Sequence, residues 1–316
     1  MKILITPTSL SQNLGIAALD PLRERGVELV TNPYGRPMSP DELIPALRDV
    51  DGVIAGLDTF SAEVFAAAPQ LAVVARYGVG YDRIDLQAAR SAGVRVTNTP
   101  GANGHSVAEL AVGLMFAVAR QIPQTSTAVA AGEWPRFQGI ELAGRRLGVL
   151  GLGAIGAATA RMAQGIGMEV LGFDPGLSAE QMGQLGVTAA ELEEIFAHSD
   201  VLSLHIPLNE HTRHIVSAER INAMPQGAII INTARGGLID EQAAAQALDA
   251  GHLHGIGLDA YETEPPTDSL LVGHPRVVAT PHSGAHSEES VQRTAAAAVK
   301  NLLTVLDGGQ PLNPVD

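Results

Sequence analysis

The feature that most constrains the fold is a glycine-rich turn at Gly151–Gly156, which reads GLGAIG and lies between an apolar strand and a helix. Arg146–Leu150 is the predicted strand before it, and a second strand, Glu169–Phe173, follows the helix and ends at Asp174. This order, with an acid about twenty residues after the motif, is typical of a dinucleotide-binding βαβ unit. An isolated motif also fits a plain tight turn, but the context favours a pyrophosphate at the helix N-terminus.

The acid that ends the second strand indicates which dinucleotide binds. Asp174 is placed to accept hydrogen bonds from both ribose hydroxyls, and its charge would repel a 2′-phosphate. The following Pro175–Ser178 segment supplies no arginine to offset that repulsion. The sequence therefore predicts NAD rather than NADP, with an ordinary turn residue as the alternative for Asp174.

Short apolar strands alternate with helices along the whole chain. The first set of predicted strands is Lys2–Thr6, Val27–Val30, Gly52–Ala55, Ala72–Arg76 and Val94–Thr97. After a breaker cluster at Asn98–Gly101, the second set is Arg146–Leu150, Glu169–Phe173, Val201–His205, Ala228–Asn232, Gly255–Leu258 and Val277–Thr280. A long helix is predicted from Ser106 to Arg120, continuing toward Ala131, and a last helix from Ser287 to Leu306. The alternation predicts two doubly wound α/β domains with parallel sheets.

Composition excludes several classes of function. The chain has 316 residues, no cysteine and a net charge of −14. The acidic charge argues against a nucleic-acid partner, and the lack of cysteine excludes disulfides and thiolate chemistry. No apolar run reaches the length of a membrane span, and the N-terminus lacks a signal-peptide layout, so we expect a cytoplasmic protein. No H-E-x-x-H motif or other metal-ligand spacing is present, so no metal is expected.

Three side chains with complementary chemistry lie at or after the ends of the later strands. Arg235 follows Ala228–Asn232 directly, and its planar guanidinium suits a bidentate grip on a carboxylate. His282 lies just beyond the strand Val277–Thr280, and Glu264 lies in a proline-rich loop after the strand Gly255–Leu258. A carboxylate that contacts the imidazole would fix its tautomer and raise its pKa, which keeps a proton available for donation. A surface ion pair and a structural histidine are the alternatives.

Further residues at these strand ends are expected to contact the cofactor. Asp259 could hydrogen-bond the nicotinamide amide or orient Arg235, and His205 and Pro207 are expected to line the adenine side. The other expected cofactor contacts are Gly151, Gly153, Ala154, Ile155, Gly156, Thr212, Thr233, Ala234 and Gly284.

A second glycine-rich loop, Arg76–Arg83, follows a strand of the first set. Its third glycine is replaced by Arg83 and the next strand lacks a terminal acid, so it is a poor dinucleotide site. Its backbone N–H groups could hold a small anion such as a substrate carboxylate. A structural turn fits the spacing equally well. The expected substrate contacts are Arg76, Gly78, Val79 and Gly80.

Together these segments resemble the D-isomer-specific 2-hydroxyacid dehydrogenase family over essentially the whole chain. The matching segments are Arg76–Asp82, Asn98–Pro100, Val107–Leu110, Gly151–Gly156, Asn232–Asp240, Asp259–Pro266 and Thr280–Gly284. The resemblance implies reversible hydride transfer between NAD(H) and C2 of a 2-hydroxy or 2-keto acid. It also implies that Arg235 binds the substrate, His282 is the acid/base and Glu264 supports the histidine.

The resemblance also implies an arrangement of domains. A Rossmann NAD-binding domain at 99–285 is inserted in a flavodoxin-like substrate domain formed by 1–98 and 286–316, and both are doubly wound parallel-sheet domains. Members of this family dimerise through the cofactor domain, so we expect a homodimer that uses the helix at Ser106–Arg120. No membrane partner is expected.

Within the family, the segments ARQIPQ and GEWPRFQGIELAGRRLGVLGLGAIG are most similar to 3-phosphoglycerate dehydrogenases. The end of the chain at Asp316 suggests a short form without their regulatory extension. Gly56, however, stands where those enzymes commonly carry a phosphate-facing arginine. 3-Phosphoglycerate is therefore one candidate substrate, and hydroxypyruvate, glyoxylate or another unphosphorylated 2-keto acid is the alternative.

Two other interpretations remain open at this point. Some proteins with this fold act as NAD-sensing binding proteins, against which the acidic charge argues mildly. A formate dehydrogenase relative is disfavoured, because such enzymes pair the histidine with glutamine whereas Glu264 stands here.

Overall fold

The chain folds as two compact units, here described from a computed structural model that covers residues 1–315. The first unit runs from Met1 to Asn103 and resumes at Ala285, and the second is Gly104–Gly284. The breaker cluster at 98–101 belongs to the first unit rather than marking its end. One reason is that Asn98 N donates to Asn313 O at 3.1 Å and Asn301 Nδ2 donates to Asn98 O at 3.0 Å.

Within residues 1–315, twelve strands and thirteen α-helices form the two units. The strands are β1 Lys2–Ile5, β2 Glu28–Thr31, β3 Gly52–Ala55, β4 Val73–Arg76, β5 Arg95–Thr97, β6 Arg146–Leu150, β7 Glu169–Phe173, β8 Thr188–Ala189, β9 Val201–Leu204, β10 Ala228–Asn232, β11 Leu253–Leu258 and β12 Val277–Ala279. The helices are α1 Thr8–Ser11, α2 Asp20–Glu24, α3 Pro40–Ala46, α4 Ala62–Ala66, α5 Leu86–Ser91, α6 Gly104–Ala119, α7 Ile122–Ala130, α8 Ala154–Gly165, α9 Ala179–Gln184, α10 Leu192–His198, α11 Ala218–Ala223, α12 Glu241–Asp249 and α13 Glu288–Leu306. Two short 3₁₀ turns lie at Ala17–Leu19 and Gly236–Leu238.

The first unit is a five-stranded parallel sheet in the order β2-β1-β3-β4-β5. This is the flavodoxin-like strand order. Most residues of β1, β3, β4 and β5 are buried because both faces of the sheet are covered, as parallel sheets require, whereas the edge strand β2 is partly exposed. On one face α13 packs Ala295, Ala298 and Leu302 against the sheet. The side chain of Ser287 caps α13 by accepting from Ser290 N, and glutamates in the first turn complement the helix dipole.

The second unit is a seven-stranded parallel sheet in the order β12-β11-β10-β9-β6-β7-β8. The strand order reverses between β6 and β9, where Leu150 pairs with Leu204. In open α/β sheets, ligands bind beyond the carboxyl ends of the strands at such a reversal. Both predicted doubly wound domains are therefore confirmed, and the reversal marks where the cofactor-binding side chains should gather.

Two elements differ from the sequence-based expectation. β8 was not predicted, because two exposed residues give no hydrophobic pattern. The long helix does not continue to Ala131, since Gln121 adopts a left-handed conformation with φ of 50° and separates α6 from α7.

The break between α6 and α7 also bears on any membrane span. Among residues 1–315 no single helix is long and apolar enough to cross a membrane, while α6 and α7, bent by 63°, satisfy the length and composition criteria only as a pair.

Candidate active site

The three motif glycines between β6 and α8 meet three different steric demands. Gly151 has φ of 86°, and a Cβ on it would lie 2.6 Å from the carbonyl oxygen of His205. A Cβ on Gly156 would overlap the carbonyl oxygen of Gly151, so the helix approaches the strand too closely for any side chain. Gly153 has no described atom within 4 Å of its Cβ position and faces open space. The first and third glycines are required by packing, and the second leaves the backbone open to a ligand.

The start of α8 has the character of an anion site. Gly153 is the N-cap and offers no side-chain acceptor, and Ala154 beyond it is exposed. The first N–H groups of a helix lack partners within the helix and carry the positive end of its dipole. Gly153, Ala154 and the half-buried Ile155 are thus placed to receive a pyrophosphate.

Asp174 lies at the end of β7 and is oriented by the glycine loop itself. Its Oδ2 accepts from Leu152 N at 2.7 Å, and its Oδ1 accepts from Gly176 N at 2.8 Å. A carboxylate has about four acceptor positions, so two remain for ribose hydroxyls. The predicted preference for NAD has its acceptor in place.

Two polar atoms at the ends of β9 and β10 are buried without a partner among the described residues: His205 Nδ1 and Thr233 Oγ1. The other ring nitrogen, His205 Nε2, lies 2.9 Å from Ser203 Oγ. Burial lowers the pKa of His205 to about 4, so its imidazole is neutral at pH 7. Buried polar groups normally find a partner, so these two atoms fit the presence of a polar cofactor at this edge.

The turn after His205 is held by Thr212. Its Oγ1 donates to Pro207 O at 2.7 Å and accepts from Asn209 N at 2.8 Å. The structure thus gives Thr212 a clear role in shaping the turn that carries the exposed Pro207.

Arg235 is presented by a short turn that the preceding asparagine organises. Asn232 Nδ2 donates to Arg235 O at 2.8 Å, and its Oδ1 accepts from Ala234 N at 3.0 Å. Arg235 itself is extended, with φ of −147°, and half-buried. Its Nη1 donates to Ala234 O at 2.7 Å. Asn232 is a positioning residue that sequence reasoning missed, although it lay inside a matching segment.

Glu264 and His282, eighteen positions apart, are in direct contact. Glu264 Oε1 lies 2.7 Å from His282 Nδ1, and the two side chains are 12% and 29% exposed. Because a carboxylate accepts, Nδ1 is the donor, and Nε2 remains for another partner. This is the arrangement required of a proton carrier whose tautomer is fixed by a carboxylate.

Asp259 fixes the loop that presents His282. Its Oδ1 accepts from Thr280 Oγ1 at 2.6 Å and from Ser283 N at 2.7 Å, and its Oδ2 accepts from Gly284 N at 2.8 Å. The side chain is buried, and between its bonded partners His282 adopts a left-handed φ of 52°. Such a conformation is uncommon for a non-glycine residue and persists where its surroundings over-determine it. Asp259 therefore holds the loop that carries His282, a role that the sequence did not indicate.

Two further bonds complete this loop. Tyr261 Oη donates to Thr280 O at 2.7 Å, and burial, with the charge of Asp259, raises the pKa of Tyr261 to about 12. Ser106 Oγ, in the first turn of α6, donates to Gly284 O at 2.6 Å. The loop is thus bonded on both sides of His282, which limits its freedom.

In the first unit, the Arg76–Arg83 loop lies after β4 and differs in part from expectation. Gly78 N donates to Thr99 Oγ1 at 3.0 Å, so it is a structural donor and not the predicted carboxylate contact. The N–H groups of Val79 and Gly80 make no intramolecular hydrogen bond within residues 1–315. The sequence predicts an anion contact for the amides of Gly78, Val79 and Gly80, and of these the amides of Val79 and Gly80 are the ones available for it.

Arg76 and Gly56 shape the same edge of the first sheet. Arg76 Nε donates to Gly80 O at 2.8 Å and Nη1 donates to Tyr77 O, so the guanidinium folds back over its own loop. A Cβ on Gly56 would lie 3.2 Å from Pro7 Cα, so the backbone of the β1–α1 loop closes over this position.

Comparison with known proteins shows which family the chain resembles. Residues 112–284 match the family model described as the NAD binding domain of D-isomer specific 2-hydroxyacid dehydrogenases. D-3-phosphoglycerate dehydrogenase of Methanocaldococcus jannaschii is 38% identical over 95% of this chain and 59% of its own length. Hydroxypyruvate reductase of Thermotoga maritima is 39% identical over 91% of this chain and 96% of its own length.

A solved structure agrees as well. The TT0316 protein from Thermus thermophilus superposes with a TM-score of 0.88 at 38% identity, covering 100% of both chains. The resemblance, the fold and the NAD cofactor predicted from the sequence are confirmed. By these matches the chain belongs to the D-isomer specific 2-hydroxyacid dehydrogenase family of NAD-dependent oxidoreductases.

Proposed function

We propose that this enzyme reduces a small, unphosphorylated 2-keto acid of the hydroxypyruvate and glyoxylate type, and oxidises the matching 2-hydroxy acid in reverse. Arg235, Glu264 and His282 are the reacting groups in this proposal. The observation that carries it is the 2.7 Å contact between Glu264 Oε1 and His282 Nδ1. Asp259 holds in place the loop on which His282 lies.

Each side chain has one task. Arg235 binds the substrate carboxylate with its planar fork of donors. His282 donates the proton on Nε2 to the carbonyl oxygen as that oxygen gains charge, and takes it back in oxidation. Glu264 accepts from Nδ1, which keeps Nε2 directed at the substrate and stabilises the imidazolium. Gly153, Ala154, Asp174 and Thr233 would hold NADH, which would supply the hydride.

The preference for an unphosphorylated substrate rests on the first unit. Gly56 contributes no cation, and the loop at Pro7 closes over it. Arg76, the other expected phosphate contact, donates to Gly80 O and Tyr77 O within its own loop. The amides of Val79 and Gly80 suit a carboxylate, and all 2-keto acids share that group. These amides therefore give no preference for a substrate that carries a charged side chain.

A phosphorylated substrate is the second candidate, and Arg83 is the observation that favours it. Arg83 Nη1 donates to Leu57 O at 3.3 Å, which brings a guanidinium to the segment that begins at Gly56. The backbone locks this placement, because Phe60 N donates to Arg83 O at 2.9 Å. Arg83→Gln should then lower kcat/KM selectively for 3-phosphohydroxypyruvate.

The test follows NADH oxidation at about 340 nm, the nicotinamide absorption band, with a panel of 2-keto acids. Hydroxypyruvate, glyoxylate, pyruvate and 3-phosphohydroxypyruvate are the informative members. A higher kcat/KM for hydroxypyruvate or glyoxylate than for the phosphorylated compound supports the proposal. A higher kcat/KM for 3-phosphohydroxypyruvate would favour the second candidate. This preference should then be lost in Arg83→Gln and kept in Arg90→Gln, which serves as the surface control.

We also propose that the enzyme is a cytoplasmic homodimer joined through the second unit. A groove of about 630 Å³ between α6 and α7 is lined by three apolar side chains, Phe116, Ile122 and Val129, together with Arg120, Thr125 and Ser126. Ile122 is 51% exposed, and Trp134, four residues after the end of α7, is 74% exposed. Apolar patches of this kind usually mark an interface. Light scattering should show a dimer that Ile122→Glu dissociates, whereas Leu270→Glu, at an exposed leucine that does not line the groove, should leave it intact.

A further inference from the structure

We propose that Glu262 and Arg213 form a positioning pair that holds the Glu264 loop against the turns carrying Arg235 and Thr212. The inference rests on the proposed roles of Glu264 and Arg235. Glu262 lies two residues before Glu264, and Arg213 directly follows Thr212, so the pair joins segments that serve the acid/base and the cofactor.

The ionic contact is direct. Arg213 Nη1 donates to Glu262 Oε1 at 3.0 Å, and His214 Nε2 lies 3.6 Å from the same oxygen. His214 has a left-handed φ of 51°, and its backbone N donates to Gly237 O at 2.9 Å. The turn is therefore fixed beneath the pair by the 3₁₀ segment that follows Arg235.

Two glycines show how closely the three segments meet. A Cβ on Gly237 would lie 3.1 Å from Glu262 Oε1 and 3.3 Å from Arg213 Nη1, so the pair crosses directly over this residue. A Cβ on Gly236 would overlap the backbone of Tyr261 and Glu262. The loop that carries Glu264 therefore lies against the residues immediately after Arg235, and the ion pair spans this junction.

The exposed fractions of the two side chains indicate whether the pair contributes to stability or to positioning. The side chains of Arg213 and Glu262 are 56% and 47% exposed. Exposed ion pairs contribute little to global stability. A pair that orients a catalytic group can still matter for turnover, because small displacements of reacting groups are costly. We therefore assign it to positioning the Glu264 loop rather than to folding.

The experiment compares Glu262→Gln with Glu210→Gln, which removes the same charge from an exposed position on the Thr212 turn. Glu262→Gln should lower kcat by about tenfold while the Kd for NADH and the Tm stay at wild-type values. Arg213→Gln should act like Glu262→Gln, Arg213→Lys should recover most of kcat, and the double Gln variant should be no slower than either single variant.

A second measurement does not depend on turnover. Hydrogen–deuterium exchange of the peptide 259–267 should be faster in Glu262→Gln than in Glu210→Gln by at least about threefold. Added salt should raise exchange in the wild type and leave Glu262→Gln unchanged, because exposed pairs are screened.

The outcomes separate the possibilities. If Glu262→Gln matches Glu210→Gln in kcat and in exchange, the pair positions nothing. If kcat, NADH affinity and Tm fall together, its role is structural and the proposal fails. If the wild type reduces no 2-keto acid, the proposed function fails, while the exchange comparison still decides whether the pair holds the loop.

Discussion

His205 should make the stability of this protein depend on acid. Its folded pKa of about 4 lies below the ordinary value of 6.5, and burial is the cause. Between these values the unfolded chain binds a proton that the folded protein does not, so stability falls as pH decreases from 6.5 toward 4. The full difference corresponds to about 3 kcal/mol, of which about 2 kcal/mol is lost by about pH 5.

The assay is urea unfolding at about pH 7.5 and about pH 5, followed by circular dichroism, for the wild type and His205→Gln. Glutamine does not titrate and can still bond the Ser203 hydroxyl that lies 2.9 Å from His205 Nε2. Other groups titrate in both proteins, so the difference between the two pH dependences isolates His205. The wild type should lose about 2 kcal/mol more than the variant between these pH values. Equal losses would show that the folded imidazole is not shielded from protons, and the argument from burial would be refuted.

Three further predictions concern the cofactor and the acid/base loop. His282→Ala should lower kcat by about 10²–10⁴-fold while NADH binding, measured by fluorescence, is retained; near-normal turnover would remove His282 from the mechanism. Gly156→Ala should destabilise the second unit by about 1–3 kcal/mol and weaken NADH binding, since its Cβ would overlap Gly151 O, whereas Gly153→Ala should keep the wild-type Tm because its Cβ position is open. The two carboxylate oxygens of Asp259 accept three hydrogen bonds, and Asp259→Asn replaces one of these oxygens with an NH₂ donor. The kcat should fall by at least about tenfold, and hydrogen exchange at residues 280–284 should become faster. Unchanged exchange would count against the role of Asp259 in holding this loop.

Local patterns predicted the architecture well, because the signals that set it are short-range. Strand–helix alternation and the spacing from Gly151 to Asp174 are properties of single βαβ motifs. Both can therefore be recognised within one continuous stretch of sequence. The same local reasoning missed β8 and the break at Gln121. Two exposed residues carry no pattern. Pro123, in the first turn of α7, disfavours a continuous helix, but the residue type at position 121 does not predict its left-handed conformation.

The candidate site was predicted less completely, because its supports join residues far apart in sequence. Asp259 bonds residues 24 and 25 positions away, at Ser283 and Gly284. The donors are backbone amides, which have no sequence signature. For the same reason the spacing around Gly78 suggested a free amide, whereas the structure pairs it with Thr99 from the next strand's end. Chemical identity could be inferred from sequence, but hydrogen-bond allocation required the tertiary structure.

The hydrogen bond from Ser106 Oγ to Gly284 O has a consequence for how the second unit can be handled. It joins the first turn of α6 to the last residue of the unit, so the two ends of the insertion lie side by side within it. Segments whose ends meet tolerate excision and circular permutation. A short linker from Gly284 to Gly104, with new termini opened at the exposed turn near Leu185, should give a permuted domain that still binds NADH. In this domain the cofactor chemistry could be studied apart from the first unit.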